Sequence, residues 1–144
     1  MSTRDTASGG YVGHDIDVAN ALGADLGVKV EFVATDWKSL INGVVAGKYD
    51  VAMSGISMTA DRAKVAGFTM PYMEFGTVPV VQKKNLSKFS SWADIDKSDV
   101  TVATTLGTVF DNQAKDYFKT ATLKQVEAPA AGYQEVLAGR ATVT

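Results

Sequence analysis

The chain has 144 residues, of which 46% are hydrophobic and 21% charged, an ordinary globular composition that gives no indication of disorder. The formal net charge is −2, and no segment is dense enough in Lys and Arg to favour nucleic-acid binding. The absence of cysteine excludes disulfides and cysteine-based metal sites, and no apolar run approaches the ~20 residues that span a bilayer.

The first half of the chain alternates predicted helices and strands. Apolar residues recur at three- and four-residue steps after His14, which predicts an amphipathic helix that ends before Gly27. Alternating apolar and polar residues predict a strand over Val28–Val33. The stretch 1–13 is predicted as a loop. The other predicted elements of this half are a helix over 37–46, a buried strand over 50–53, a short helix from Thr59 through Val65, and a strand over 77–82.

The second half repeats the same alternation after a polar, Ser-rich crossover over 83–96. Its predicted elements are a strand over 100–103, a helix over 109–118, a strand over 123–126, a helix over 130–138, and a strand that starts at Ala141. This βαβ order predicts an α/β fold with mostly parallel pairing. We assign residues 1–82 to a first lobe and 97–144 to a second, each incomplete. An incomplete parallel sheet exposes apolar surface, which favours association with a second copy by strand exchange or edge pairing.

The segment Ser54–Arg62 is the strongest candidate for binding chemistry. It follows a predicted buried strand and leads into a helix, and ligands of open α/β sheets lie at the carboxyl ends of strands. Ser54 and Ser57 supply hydroxyls, and Arg62 can form two parallel hydrogen bonds to a carboxylate. The alternative is that Thr59 caps a helix and Arg62 is a solvated surface charge. The pattern alone leaves both interpretations open.

The turn Leu106–Thr108 repeats this arrangement in the second half, because a strand ends there, Gly107 allows close backbone approach, and a helix starts. It is also compatible with an ordinary turn in which Thr108 is the N-cap. Trp37 could line a pocket, although a tryptophan at the start of a helix is more often part of the core. His14, the only histidine, has no neighbouring nucleophile or second metal-binding side chain. We therefore predict no catalytic residue, metal or cofactor.

Several motifs, in order, resemble those of family 3 solute-binding proteins, the periplasmic receptors of polar amino-acid ABC importers. Gly10–Ala19 resembles the segment G-x-x-G-F-D-x-D-x-A, and Gly47–Val51 resembles the G-K-x-D entry to a buried strand. Ser54–Arg62 resembles S-x-x-S-x-T-x-x-R, Phe68–Tyr72 resembles F-(S/T)-x-P-Y, and Leu106–Thr108 resembles x-G-(S/T). The resemblance extends from about residue 10 to the end of the chain.

The resemblance implies a type II periplasmic binding-protein clamshell, in which two lobes close over a small amino acid or similar carboxylate. It implies a periplasmic parent protein that delivers its ligand to an ABC permease and is not an enzyme. In this interpretation Arg62 binds the α-carboxylate. The complete set of predicted ligand-binding residues is Trp37, Ser54, Gly55, Ser57, Thr59, Arg62, Gly107, Thr108 and Val109.

The chain also departs from the family pattern. His14 replaces the usual Phe, which is expected to affect packing more than binding. The first strand and its aromatic pocket wall, expected before residue 10, are absent. The acidic residue that binds the ligand's amino group is either missing or beyond the end of the sequence, since Gly139–Arg140 is followed by Ala141 and Thr142. We therefore expect pieces of both lobes to be missing.

An enzyme is the alternative, because residues 37–80 also resemble cyclohexadienyl dehydratases, which share the fold and act on prephenate or arogenate. Two features oppose it. The general acid of those enzymes would fall beyond Thr144, and Val109 stands where an Asn is expected after Thr108. A third possibility is a non-binding fragment that assembles by strand exchange.

Overall fold

The structure, a computed structural model, describes residues 2–144. The chain divides into two compact units. Unit 1 comprises the described residues up to Thr35 together with Ser39–Glu74, and unit 2 comprises Asp36–Lys38 and Phe75–Thr144. The chain contains both helices and strands, and the two alternate in unit 2. The lobe boundaries predicted from the sequence stay a prediction.

Unit 1 is dominated by helices. A short antiparallel hairpin pairs β1 (Thr3–Arg4) with β2 (Tyr11–Val12), so the prediction of a loop throughout 1–13 is wrong for these four residues. The helices are α1 (His14–Leu26), α2 (Leu40–Val45) and α3 (Ala60–Ala63). Helix α1 confirms its prediction and ends at Gly27, whose left-handed conformation is the usual helix terminator. Helices α2 and α3 are shorter than predicted.

Three predicted strands are not formed as strands. Residues 28–33 and 50–53 lie outside any sheet, and of 77–82 only Val81 takes part in an isolated bridge, to Val143. Within the described chain, no backbone group between Lys29 and Thr35 forms a backbone hydrogen bond. The alternating pattern was present, but a strand also requires a backbone partner.

Unit 2 is built around one parallel strand pair. Strands β3 (Thr101–Thr105) and β4 (Thr122–Val126) run in register from Thr101↔Thr122 to Thr105↔Val126. They confirm the two predicted strands and the parallel βαβ connection through α4 (Val109–Tyr117). The predicted strand at the end of the chain is reduced to Val143, which bridges Val102 and Val81. The last helix, α5 (Gly132–Leu137), is shorter than predicted.

The core of unit 2 lies on both faces of β3, because successive residues of a strand point to opposite sides. Val102 belongs to one buried cluster and Ala103 to the other, which also contains Val136 of α5. The members of the larger cluster are Ile95, Val100, Val102, Ala114, Phe118 and Val143. A sheet covered on both faces is the arrangement expected of parallel strands.

The predicted crossover over 83–96 contains two 3-10 helices, Lys83–Lys88 and Trp92–Asp94, which the sequence analysis missed. The signal for the second was Ser91 followed three residues later by Asp94, the spacing of a capping box. Beyond it, the Asp96 carboxylate accepts hydrogen bonds from three successive amides, Lys119 to Ala121. These amides lower the pKa of Asp96, and the contact fixes the crossover to the turn before β4.

Candidate functional site

The predicted ligand-binding residues fall into two groups. Five of them, Ser54, Gly55, Ser57, Thr59 and Arg62, lie in unit 1, and four, Trp37, Gly107, Thr108 and Val109, lie in unit 2.

In unit 1 the turn before α3 is organised by Thr59 and Arg62. Thr59 is the N-cap of α3, and its hydroxyl accepts a hydrogen bond from the Arg62 amide at 3.3 Å. The Arg62 side chain folds back along the turn, where its Nη1 donates to the Ser57 carbonyl at 3.0 Å. Gly55 has a positive φ of 67°, which a side chain would disfavour. The capping role considered for Thr59 is therefore confirmed, and Arg62 is held against the turn.

The Arg62 guanidinium is the group in this turn that is best suited to an anion. Burial lowers the pKa of Arg62, although an arginine remains protonated at any physiological pH. A partly buried cation interacts more strongly with an opposite charge than a fully solvated one does. Helix α3 has only four residues, so its dipole adds little.

In unit 2 the turn between β3 and α4 uses the Thr108 hydroxyl structurally. This hydroxyl donates to the Thr105 carbonyl at 2.7 Å and accepts from the Asp111 amide at 3.2 Å. The N-cap alternative for Thr108 is thus confirmed. Val109 begins α4, so its amide has no acceptor within the helix.

Trp37 lies beside the same turn. Trp37 and its two neighbours line an open cavity of about 220 Å³ together with Leu106, Glu127 and Ala128. The Lys38 ammonium lies 3.6 Å from the Glu127 carboxylate, and both side chains are largely exposed. A Cβ added at Gly107, where φ is +80°, would lie 2.7 Å from the Lys38 Cα. Position 107 must therefore be a glycine, because the backbone of residues 37–38 leaves no room for a side chain. The sequence alone did not indicate this reason.

A polar cluster at the start of α1 was also missed. Asp15 is 2% exposed and accepts a hydrogen bond from the Tyr72 hydroxyl at 2.9 Å. His14 Nδ1 lies 3.4 Å from the same oxygen, and the His14 ring stacks on Tyr72 with centroids 6.0 Å apart. Asp15 thus ties the segment around Tyr72 to α1 in addition to placing negative charge at the helix start. The two family-like motifs that contain these residues were the only signal in the sequence.

Two buried carboxylates in unit 2 stabilise its fold. Asp111 accepts from Lys115, Thr104 and Gln125. Burial raises the pKa of Asp111, but these hydrogen bonds outweigh it, so the net shift is downward. Hydrogen bonds from Arg140 and then from Lys124 lower the pKa of Glu135 to about 2. Residues 2–144 contain no group of three or more His, Cys, Asp or Glu side chains that could hold a metal ion.

No helix within residues 2–144 combines the length and apolar character needed to cross a membrane.

Comparison with known proteins gives a consistent result. The family model described as bacterial extracellular solute-binding proteins, family 3, matches residues 1–129. The cyclohexadienyl dehydratase of Pseudomonas aeruginosa PAO1 is 31% identical over 136 residues, which are 94% of this chain and 51% of that protein. The chain therefore spans about half the length of this curated relative.

Solved structures agree with this match. The ancestral amino acid-binding protein AncCDT-1, a precursor of cyclohexadienyl dehydratase, is 43% identical with a TM-score of 0.94, and the match covers 99% of this chain and 62% of that one. The amino acid ABC transporter substrate-binding protein AbpA from Streptococcus pneumoniae, bound to L-arginine, is 28% identical with a TM-score of 0.88, covering 99% and 59% respectively. The fold is thus that of the type II periplasmic amino-acid-binding proteins.

Proposed function

Because the chain belongs to the bacterial extracellular solute-binding proteins, family 3, we propose that it is part of a receptor that binds an amino acid through its α-carboxylate. The observation that carries this proposal is the position of the Arg62 guanidinium, partly buried and held against the Ser57 carbonyl of the turn before α3. A planar guanidinium matches a carboxylate with two parallel hydrogen bonds, which gives direction as well as affinity.

The neighbouring groups of unit 1 complement this role. The Ser54 hydroxyl lies at the other end of the turn, 3.1 Å from that of Ser2, and the next residue, Gly55, has a positive φ. We propose that Ser54, Gly55 and Ser57 supply polar contacts to the ligand and that Thr59 positions Arg62. Binding in this form needs no metal or cofactor.

In unit 2 we propose that the turn before α4 contacts the ligand. The Thr108 hydroxyl is already used to cap the helix, so the backbone amide of Val109 is the better candidate for a ligand contact. Gly107 and Trp37 would act by shaping this turn, since the Lys38 backbone packs against Gly107.

The ligand class follows from the relatives. AbpA is an amino acid ABC transporter substrate-binding protein with bound L-arginine, and AncCDT-1 is described as an amino acid-binding protein. We propose an amino-acid ligand for this chain, periplasmic localisation of the whole protein, and an ABC permease as the partner that receives the ligand.

A second candidate is a cyclohexadienyl dehydratase activity, favoured by the 31% identity over 94% of this chain to the Pseudomonas aeruginosa enzyme. The buried carboxylates Asp15, Asp111 and Glu135 do not support it, because each is held by hydrogen-bond donors of the fold. We therefore propose binding without turnover.

Calorimetric titration of the 144-residue chain with amino acids, including L-arginine and L-lysine, and with prephenate tests both candidates. We expect one or more amino acids to bind and prephenate to remain unconverted. Arg62→Ala should weaken amino-acid binding by about 10- to 150-fold, the value of hydrogen bonds to a charged group. Arg62→Lys should lose less, because it keeps the charge without the planar donor pair.

Lys64→Ala is the matched control, since Lys64 lies two residues away, is exposed, and forms an ion pair with the exposed Asp61. Its affinity should equal that of the wild type. Unchanged affinity in Arg62→Ala would exclude the carboxylate site, and conversion of prephenate would favour the enzyme.

Self-association by strand exchange, the other partner considered for this chain, stays a prediction. A measurement of mass in solution before each titration tests it directly.

A further inference from the structure

The open cavity beside Trp37 carries charged groups that the proposed function does not use. Its walls include the segment 36–38, Leu106 and Glu127, and all of these residues belong to unit 2. The Leu106 amide donates a hydrogen bond to the carbonyl of Val126, the last residue of β4, at 2.9 Å. The cavity therefore adjoins the turn before α4 that we propose contacts the ligand.

The volume of this cavity suits one end of an amino acid. It measures about 220 Å³. Sites that enclose a whole small-molecule ligand have volumes of about 300–1,000 Å³. The cavity is therefore large enough for the end of a long side chain, while the α-carboxylate of the same ligand binds outside it.

The side chains that line the cavity favour a cationic group. Asp36 and Glu127 carry two carboxylates and Lys38 carries one ammonium, so the formal charge of the lining is −1. Trp37 adds an indole ring, the aromatic group that attracts a cation most strongly. A guanidinium can stack on such a ring and also donate two parallel hydrogen bonds to a carboxylate. An anionic or purely apolar side chain would match neither feature.

Glu127 is a carboxylate that can exchange its partner. It pairs with the Lys38 ammonium at a distance of 3.6 Å, and both side chains are 71% exposed. An ion pair this open to water contributes little to stability, because solvent screens the attraction. A cation that enters the cavity can therefore replace Lys38 beside Glu127 with little loss of stability.

We propose that Glu127 is a specificity-determining residue, which receives the cationic end of the ligand's side chain in place of the Lys38 ammonium. Trp37 lines the same cavity and stacks on that group. The ligand class is then an amino acid with a guanidinium or an ammonium at the end of its side chain. The identity of the ligand as an amino acid rests on the proposed function, whereas the cation subsite rests on the cavity of unit 2.

Titration of the 144-residue chain with L-arginine and with L-citrulline, an uncharged molecule of nearly the same shape, tests this inference. Arginine should bind at least about tenfold more tightly. Glu127→Gln removes the charge and keeps the shape, so it should reduce this preference at least about threefold by weakening arginine binding alone. Lys38→Ala removes the competing ammonium and should strengthen arginine binding about twofold. The control is Asp116→Asn, which removes an exposed carboxylate of unit 2 outside the cavity and should leave the preference unchanged.

Agmatine, which has the guanidinium of arginine but no carboxylate, tests the cation subsite separately from the carboxylate site. Its addition should shift the indole N–H resonance of Trp37, assigned by comparison with Trp92→Phe, and Glu127→Gln should weaken this effect at least about threefold. The inference is overturned if agmatine leaves the resonance unchanged, or if Glu127→Gln keeps the full preference for arginine. A failure of the proposed function is a different result, an arginine affinity that Arg62→Ala does not change.

Discussion

Unit 1 and unit 2 differ in how completely their backbone is paired and their apolar side chains are buried. In unit 2 a parallel strand pair is covered on both faces, and its buried clusters join β3 to α4, α5 and Val143. In unit 1 the helices have formed, but residues 29–35 have no backbone partners in the described chain. The difference indicates that an alternating apolar and polar pattern does not by itself form a strand, because a strand also needs a backbone partner.

The largest predicted effect is a difference between the two units in the rate of amide hydrogen exchange. Amides in 29–35 should exchange close to the unprotected rate, and those of Val102 and Thr104 in β3 at least about a hundredfold slower, because paired core strands open only with the unit as a whole. Mass spectrometry of peptides from the two regions measures both. Equal protection would remove the distinction between the units.

Removing the Asp111 carboxylate tests what stabilises unit 2. Asp111→Ala leaves Thr104 and Gln125 without their acceptor and should lower the free energy of unfolding by about 2–3 kcal/mol. Both tryptophans lie in unit 2, and Trp92 stacks on Tyr117 of α4, so fluorescence during denaturation reports on this unit. Asp116→Ala, an exposed position on the same helix, is the control and should cost little.

Gly107→Ala tests how closely the turn before α4 in unit 2 packs against the Lys38 backbone. The added Cβ would meet the Lys38 backbone, and the positive φ is unfavourable for alanine, so the unit should lose about 1–3 kcal/mol of stability. Gly139→Ala has a similar φ of +71° and nothing within 4 Å, so it should cost about 1 kcal/mol from the backbone alone. The difference between the two variants, measured by denaturation, isolates the contact. If both cost the same, the close approach is not important.

The smallest effect expected is a pH dependence from Glu135. Its pKa in the folded state is lowered to about 2 by Arg140 and Lys124, from 4.5. A lowered carboxylate pKa gives stability that is complete above the unfolded pKa and is lost as the pH falls toward the folded value. Stability measured from pH 5 to 2 should therefore decrease less in Glu135→Gln than in the wild type. Glu127→Gln removes an exposed and longer ion pair. The stability of this variant should therefore decrease between pH 5 and 2 as much as that of the wild type.

Much of unit 2 was predictable because its signals are local. Helix α4 was predicted to within one residue at its end, and the strands on either side of it to within two residues. The family-like motifs placed the candidate ligand residues in turns. The sequence could not reveal that Val28–Val33 would lack a partner, because pairing depends on other segments. Nor could it indicate that Gly107 packs on the Lys38 backbone, a contact between residues far apart in the chain.

The register of the small sheet in unit 2 also has a consequence for the order of folding. Thr101 pairs with Thr122, 21 positions later, whereas Val81 bridges Val143, 62 positions away. Closing the longer loop costs about 1 kcal/mol more in chain entropy. A ribosome completes β3, α4 and β4 before it adds Val143. The parallel pair can therefore form as a nucleus during synthesis, and Val143 attaches to a template that already exists.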